Sequence, residues 1–251
     1  MVANMGLISP GNFDLIKEAM DICAFPSGAR ILDAGCGEGD TLAFLERTYG
    51  VNGTGIDRSD GLLRRGREKH PGLDLRSGET ELLDFPSFEF DGVIMECVLS
   101  LSSLQLESLH ETWCVLKKGG KLILADLYII DPDPAEAARA RKEAEDARRA
   151  PHKEGDCERE RNAPSEYCLS GAFVVESLFE AIDEVGFERL SWSDKTPALR
   201  AFAAEKIFEY GSLADFWRAT LPPGETEPGF CRASASAKNI GYFLAVLRKS
   251  E

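Results

Sequence analysis

The run Ile31-Leu32-Asp33-Ala34-Gly35-Cys36-Gly37-Glu38-Gly39 sets three glycines two apart, directly after an aspartate and a short apolar stretch. Closely spaced glycines let the backbone approach a bound molecule. A loop of this kind between a strand and a helix turns its N–H groups toward that molecule. A dinucleotide fingerprint requires G-x-G-x-x-G, and here Asp40 occupies its sixth position, so that pattern fails. Asp33 argues the same way. A carboxylate at the strand end repels a pyrophosphate and suits a ligand with an ammonium group. Read singly, other acidic residues have plainer explanations: Asp57 as a helix cap, Glu79 as a solvated loop residue.

Seven cysteines (23, 36, 97, 114, 157, 168 and 231) are odd in number and scattered. They form no CxxC pair, and the three histidines (70, 110 and 152) are far apart, so no structural zinc site and no metal ligands are expected. This usage fits a reducing compartment, and the expected location is the cytoplasm. Cys23, Cys36 and Cys114 read as small apolar packing residues, Cys114 within the buried stripe of a helix. Cys157 reads as exposed. His110 and His152 are candidate bases, but one falls mid-helix and the other in a charged loop. Trp192, Phe202, Phe208, Trp217 and Phe230 could line a pocket or simply fill core.

The elements that must position these groups follow from periodicity. Strands are expected over 29–34, 52–56, 73–76, 91–95, 121–127, 187–192 and 240–247. Helices are expected over 12–23, 41–49, 61–69, 104–116 and 171–185, with two short ones over 196–220. Strand and helix alternate for nearly 130 residues. This is the pattern of a Rossmann-like α/β fold: a seven-stranded, mostly parallel sheet with helices on both faces, a final antiparallel strand and helical insertions. All 251 residues are expected in one domain. It carries an insertion at 131–165, either a mobile surface segment or a lid, and a second at 195–237 expected as a helical cap.

The net charge of −14, with no concentrated basic patch, disfavours nucleic acid and anionic membrane surfaces as partners. No apolar run approaches the roughly 20 residues of a membrane span, and residues 1–10 do not read as a secretory signal. The oligomeric state is not legible.

The glycine run resembles the D-x-G-x-G-x-G motif of class I S-adenosylmethionine-dependent methyltransferases. Four further segments resemble that family: Asp57 with Arg58, Ser77-Gly78-Glu79-Thr80, the stretch from Phe90-Asp91-Gly92-Val93-Ile94 to Glu96-Cys97-Val98-Leu99, and Leu116-Lys117-Lys118-Gly119-Gly120-Lys121-Leu122. The resemblance implies S-adenosyl-L-methionine as cofactor. It places Asp33, Gly35, Cys36 and Gly37 in the cofactor loop, Asp57 on the ribose hydroxyls and Arg58 against the adenine. Gly78, Glu79 and Thr80 would sit near the adenine amino group, and Glu96 at the end of the fourth strand. Glu79 stands where the family has aspartate, and Lys118 where it has proline.

A narrower resemblance bears on the acceptor. Met95-Glu96-Cys97-Val98-Leu99-Ser100-Leu101, Ala125-Asp126-Leu127-Tyr128 and Glu166-Tyr167-Cys168-Leu169-Ser170-Gly171-Ala172 are similar to segments of arsenite methyltransferases. That likeness implies Cys97 and Cys168 as thiolate ligands for a soft trivalent metalloid. The family's N-terminal cysteine pair has no counterpart, and nothing from Asp194 onward matches. Three readings stand: methyl transfer to a small acceptor such as thiol-bound arsenite; an ordinary oxygen, nitrogen or carbon methyltransferase with incidental cysteines; and a non-catalytic cofactor-binding domain.

Overall fold

The computed structural model describes residues 9–102, 104–135, 142, 172–222 and 239–250. The described part opens with α1 (Asn12–Cys23), which buries Leu15, Ile16, Ala19, Met20 and Cys23, the spacing of one helical face. Then β1 (Arg30–Ala34), α2 (Asp40–Tyr49), β2 (Asn52–Asp57), α3 (Asp60–Lys69), β3 (Asp74–Ser77) and β4 (Phe90–Glu96) alternate. A single 3-10 turn at Leu99–Leu101 leads to α4 (Gln105–Val115) and the long β5 (Leu116–Ile129). After these come α5 (Val175–Val185), β6 (Phe187–Asp194), α6 (Thr196–Tyr210), α7 (Leu213–Thr220) and β7 (Ile240–Lys249).

The seven strands form one sheet in the order β3-β2-β1-β4-β5-β7-β6. Neighbours from β3 to β5 pair in parallel, and β7 runs antiparallel between β5 and β6. The order reverses between β1 and β4, and in such sheets ligands bind outside the carboxyl ends of the strands at that point. Register brings Asp33 opposite Ile94 and Gly55, Glu96 opposite Ala125, and Leu127 opposite Tyr242.

Apolar clusters cover both faces. On one, α1, α6 and α7 pack Met20, Leu199, Phe202, Phe216 and Trp217 against Ile94, Ile123 and Tyr242. On the other, α4 and α5 pack Leu109, Leu178 and Ile182 against Val93, Leu122 and Phe243. The two helices expected over 196–220 are present, but their buried side chains belong to the layer on the sheet face shared with α1. Phe202 and Trp217 are buried there, whereas Phe208 is 91% exposed. Most of the insertion at 131–165, including His152 and Cys157, lies outside the described residues, as do Cys168, Phe230 and Cys231. No helix among the described residues is long and apolar enough to cross a membrane.

Three local expectations shift. Cys114 is exposed, because α4 buries Ser108, Leu109, Thr112 and Val115, a stripe that passes it by. The fifth strand starts at Leu116 instead of 121, since Leu116 already pairs with Phe90 ahead of a register shift. The helix expected from 171 begins at Val175, because Phe173 first pairs with the end of β5: its N–H donates to Leu127 O (3.1 Å) and its carbonyl accepts from Ile129 N (2.9 Å).

Gly241, opposite Tyr128 at the start of β7, allows the closest approach in this region. A Cβ there would fall on the Tyr128 ring. Gly241→Ala is therefore expected to lower stability by roughly 1–3 kcal/mol, through overpacking, in urea denaturation.

Candidate functional site

The glycine loop is fastened to the end of β2. The N–H groups of Gly35 and Cys36 both donate to Ile56 O, at 2.8 and 2.9 Å, and Gly37 N donates to Asp57 Oδ2 at 2.8 Å. Two positions need glycine for different reasons. Gly35 (φ +92°) lies so close to the loop after β4 that a Cβ would fall inside the Val98 side chain. Gly37 (φ +55°) faces open space, the place for a ligand to approach backbone. Gly39 (φ +80°) then leads into α2.

Four carboxylates stand at the carboxyl ends of the parallel strands: Asp33, Asp57, Glu96 and Asp126. Among the described residues no lysine, arginine or histidine pairs with any of them. Asp33 is only 3% exposed. Burial pushes its carboxyl well above the ordinary range, and the Glu96 and Asp57 charges push further. Glu96 is raised by burial from the ordinary 4.5 to about 7, although the Ser9 and Thr41 hydroxyls beside it pull back. Asp126 is fully buried and raised by burial to about 6, even with Ser100 N at 2.9 Å and Leu127 N at 2.8 Å donating to it. Asp57 accepts Gly37 N on one oxygen and Ser59 N (2.8 Å) on the other, which leaves a lone pair on each for a pair of hydroxyls.

Cys97 follows β4 with φ +57°, its N–H donating to Ala125 O at 2.8 Å. Its Sγ lies 3.1 Å from Tyr242 Oη, a fully buried phenol that burial and the neighbouring Cys97, Glu96 and Asp126 push well above its usual range.

Of the residues expected at the site, the fold gathers Asp33, Gly35, Gly37, Asp57 and Glu96 around one point. Gly78 and Glu79 follow the end of β3, where Gly78 N donates to Asp57 O (3.2 Å), and Arg58 is exposed beside the end of β2. Two others turn away. The Cys36 side chain packs with Leu42, Leu63 and Leu75 behind the loop, and burial raises its thiol. The Thr80 hydroxyl is held by Glu81 and Ser108. His110 is exposed on α4. Ser9, Thr41 and Tyr242 carried no local signal in the sequence. Thr41 reaches it from the first turn of α2, just past the glycine loop, while Ser9 and Tyr242 come from parts of the chain distant in sequence.

An ammonium and a sulfonium suit this donor set: among the described residues the buried Asp33 and the half-buried Glu96 lack a cation, and Gly37 leaves open space beside Asp57. Residues 31–120 match a family model described as a methyltransferase domain. Over that stretch, from β1 into β5, the chain is similar to methyltransferase domains.

It is 33% identical over 117 residues to a demethylmenaquinone methyltransferase of Listeria welshimeri, a match covering 44% of this chain and 50% of that protein. A phosphatidylethanolamine N-methyltransferase of Cereibacter sphaeroides is 33% identical over 116 residues, covering 44% of this chain and 56% of its own. The matches thus span about half the length of these curated relatives. Among solved structures, the [4+2]-cyclase SpnF is similar with TM-score 0.68 at 19% identity, over 98% of this chain and 89% of its own. Haemonchus contortus phosphoethanolamine N-methyltransferase 2, in complex with S-adenosyl-L-methionine, gives 0.66 at 15% identity, over 98% of this chain and 55% of its own. At these identities the likeness is one of fold.

The raised acids fix a pH trend for the ligand-free protein. Between about pH 4.5 and 7 the folded chain holds a proton at Glu96 that the unfolded chain releases, so stability falls as pH rises through that window. The lowered carboxyls, Asp74, Asp91 and Asp194, act below it. Thermal melts from pH 4.5 to 8 are expected to show the decline, and Glu96→Gln should flatten it by on the order of 1–3 kcal/mol.

Proposed function

We propose that this protein transfers a methyl group from S-adenosylmethionine to a small acceptor. The observation that carries the reading is Asp33: a buried acid at the end of β1, with no cation paired to it among the described residues, between Glu96 and Asp57 and under a glycine loop. When bound, S-adenosylmethionine supplies an electrophilic methyl on a cationic sulfur. Asp33 and Glu96 attract and orient the positive end of the ligand. Asp57 takes the vicinal ribose hydroxyls on its outward lone pairs, Glu79 accepts from the adenine amino group, and Arg58 covers the ring. Ser9, buried just ahead of α1, stands beside Glu96 and helps exclude water. Transfer between positioned partners depends on alignment and dryness, and the chain's part is to provide both.

The acceptor sits beyond Glu96 and Cys97, against the end of β5. The relatives named for demethylmenaquinone and phosphatidylethanolamine support an oxygen-, nitrogen- or carbon-centred organic acceptor here. A second reading rests on the half-buried Cys97 thiol at the end of β4. With Cys168 it would hold a thiol-bound metalloid such as arsenite. A non-catalytic role is the third, and SpnF, named as a [4+2]-cyclase, is a reminder that the fold serves other chemistry.

Calorimetry with S-adenosylmethionine is expected to show binding that weakens as pH drops below about 7, where Glu96 becomes neutral. Asp57→Asn should weaken it about tenfold or more, the loss of a charge-assisted hydrogen bond. A well-folded sample that binds nothing would falsify the cofactor reading. Labelled-methyl transfer is then screened against organic acceptors and against arsenite with added thiol. On the organic reading Cys97→Ser and Cys168→Ser keep most activity; abolition of arsenite methylation by either would establish the thiolate reading instead.

A further inference from the structure

The Glu81 carboxylate joins two loops from opposite sides of the cradle. Its Oε2 accepts from Thr80 Oγ1 at 3.0 Å, and its Oε1 accepts from Ser102 Oγ at 2.6 Å. Hydrogen bonds to an ionised acceptor are among the strong ones. Ser108 of α4 closes the cluster, its hydroxyl 3.1 Å from that of Thr80 and 3.2 Å from that of Ser102. Ser102 Oγ also accepts from Leu104 N at 3.0 Å, so the entry to α4 is tied in.

On one side, residues 79–82 form a tight turn, bridged between Glu79 and Leu82. Its exit is fixed by Leu83 N donating to Glu111 Oε2 at 2.8 Å. Glu79, two residues from Glu81, faces the adenine end of the proposed cofactor. On the other side, Asp126 holds Ser100 N at 2.9 Å, and Val98 presses on Gly35. The segment between Cys97 and Ser102, which lines the acceptor side, is therefore clamped from β5 by Asp126 and from the adenine side by Glu81.

We infer that Glu81 is a positioning residue that couples occupancy of the Gly78–Glu79 end to the order of the segment over the transferable methyl. The inference rests on the cofactor reading above. A ligand that fixes the turn at 79–82 fixes Glu81, and through Ser102 it fixes the segment that meets the acceptor. The coupling is reciprocal, so an ordered acceptor segment also strengthens cofactor binding.

Amide hydrogen exchange with S-adenosylhomocysteine as probe tests this without turnover. In the wild type, binding slows exchange in residues 35–41 and in residues 98–104. In Glu81→Ala, protection at 35–41 persists while the ligand-induced slowing at 98–104 falls about fivefold or more. Glu81→Gln retains most of it, because the amide oxygen accepts from one hydroxyl and the amide N–H donates to the other. Ser102→Ala breaks the same link from the far side and should reproduce the loss, which also covers a Glu81→Ala that fails to fold. Undiminished slowing at 98–104 in the folded alanine variants overturns the coupling, and so does a Glu81→Gln as damaged as Glu81→Ala. If the wild type takes up no S-adenosylhomocysteine, the cofactor reading fails first, and calorimetry on the same sample identifies that case.

Discussion

A buried acid without a counter-charge is an expensive thing to hold in a fold, and among the described residues Asp33 has none. In the free protein that burial raises the carboxyl's pKa, so its proton is held more tightly than an ordinary aspartate's. The same environment stores a preference for positive charge, released when a cation arrives to share the burial. The rest of the site is arranged around this point. Glu96 approaches from β4 and Asp57 from β2, and both add to the field at Asp33. The glycine loop, pinned to Ile56 and Asp57, keeps the space beside them open.

The arrangement depends on the sheet. Only because β1 lies between β2 and β4 do three strand ends deliver their carboxylates to one place. The order of the strands is held by layers on both faces. The layer of α1, α6 and α7 brings Ser9 beside Glu96, while β7, slotted antiparallel between β5 and β6, sets Tyr242 against Cys97. The surroundings of Cys97 are thus assembled largely from parts of the chain well separated in sequence, whereas those of Asp33 and Asp57 come from consecutive strand–loop–helix units.

That division explains what could be read in advance. The glycine loop, Asp33, Asp57 and Glu96 announce themselves because each sits at a strand end fixed by local pattern: an apolar run, an acid, then glycine or a helix start. The alternation of elements gives the sheet for the same reason. Cys36 shows the limit of such reading. Its position in the loop is plain, but only packing against Leu42, Leu63 and Leu75 shows that its sulfur turns away from the cradle. Cys114 was misplaced because a helical stripe can be drawn through it in sequence, and the burial of Ser108 and Thr112 moves that stripe aside.

By itself, then, the sequence determined the Rossmann-like α/β class, the alternation up to β5 and the position of the glycine loop between β1 and α2, all properties of short-range periodicity and residue type. Tertiary structure alone decided which face α6 and α7 cover, that β7 enters between β5 and β6, and that Tyr242, Ser9 and Glu81 adjoin the site. These depend on contacts between residues up to 145 positions apart, with 21 between Glu81 and Ser102. Such contacts arise from the net balance of burial across the whole sheet, and no local window of sequence contains that balance.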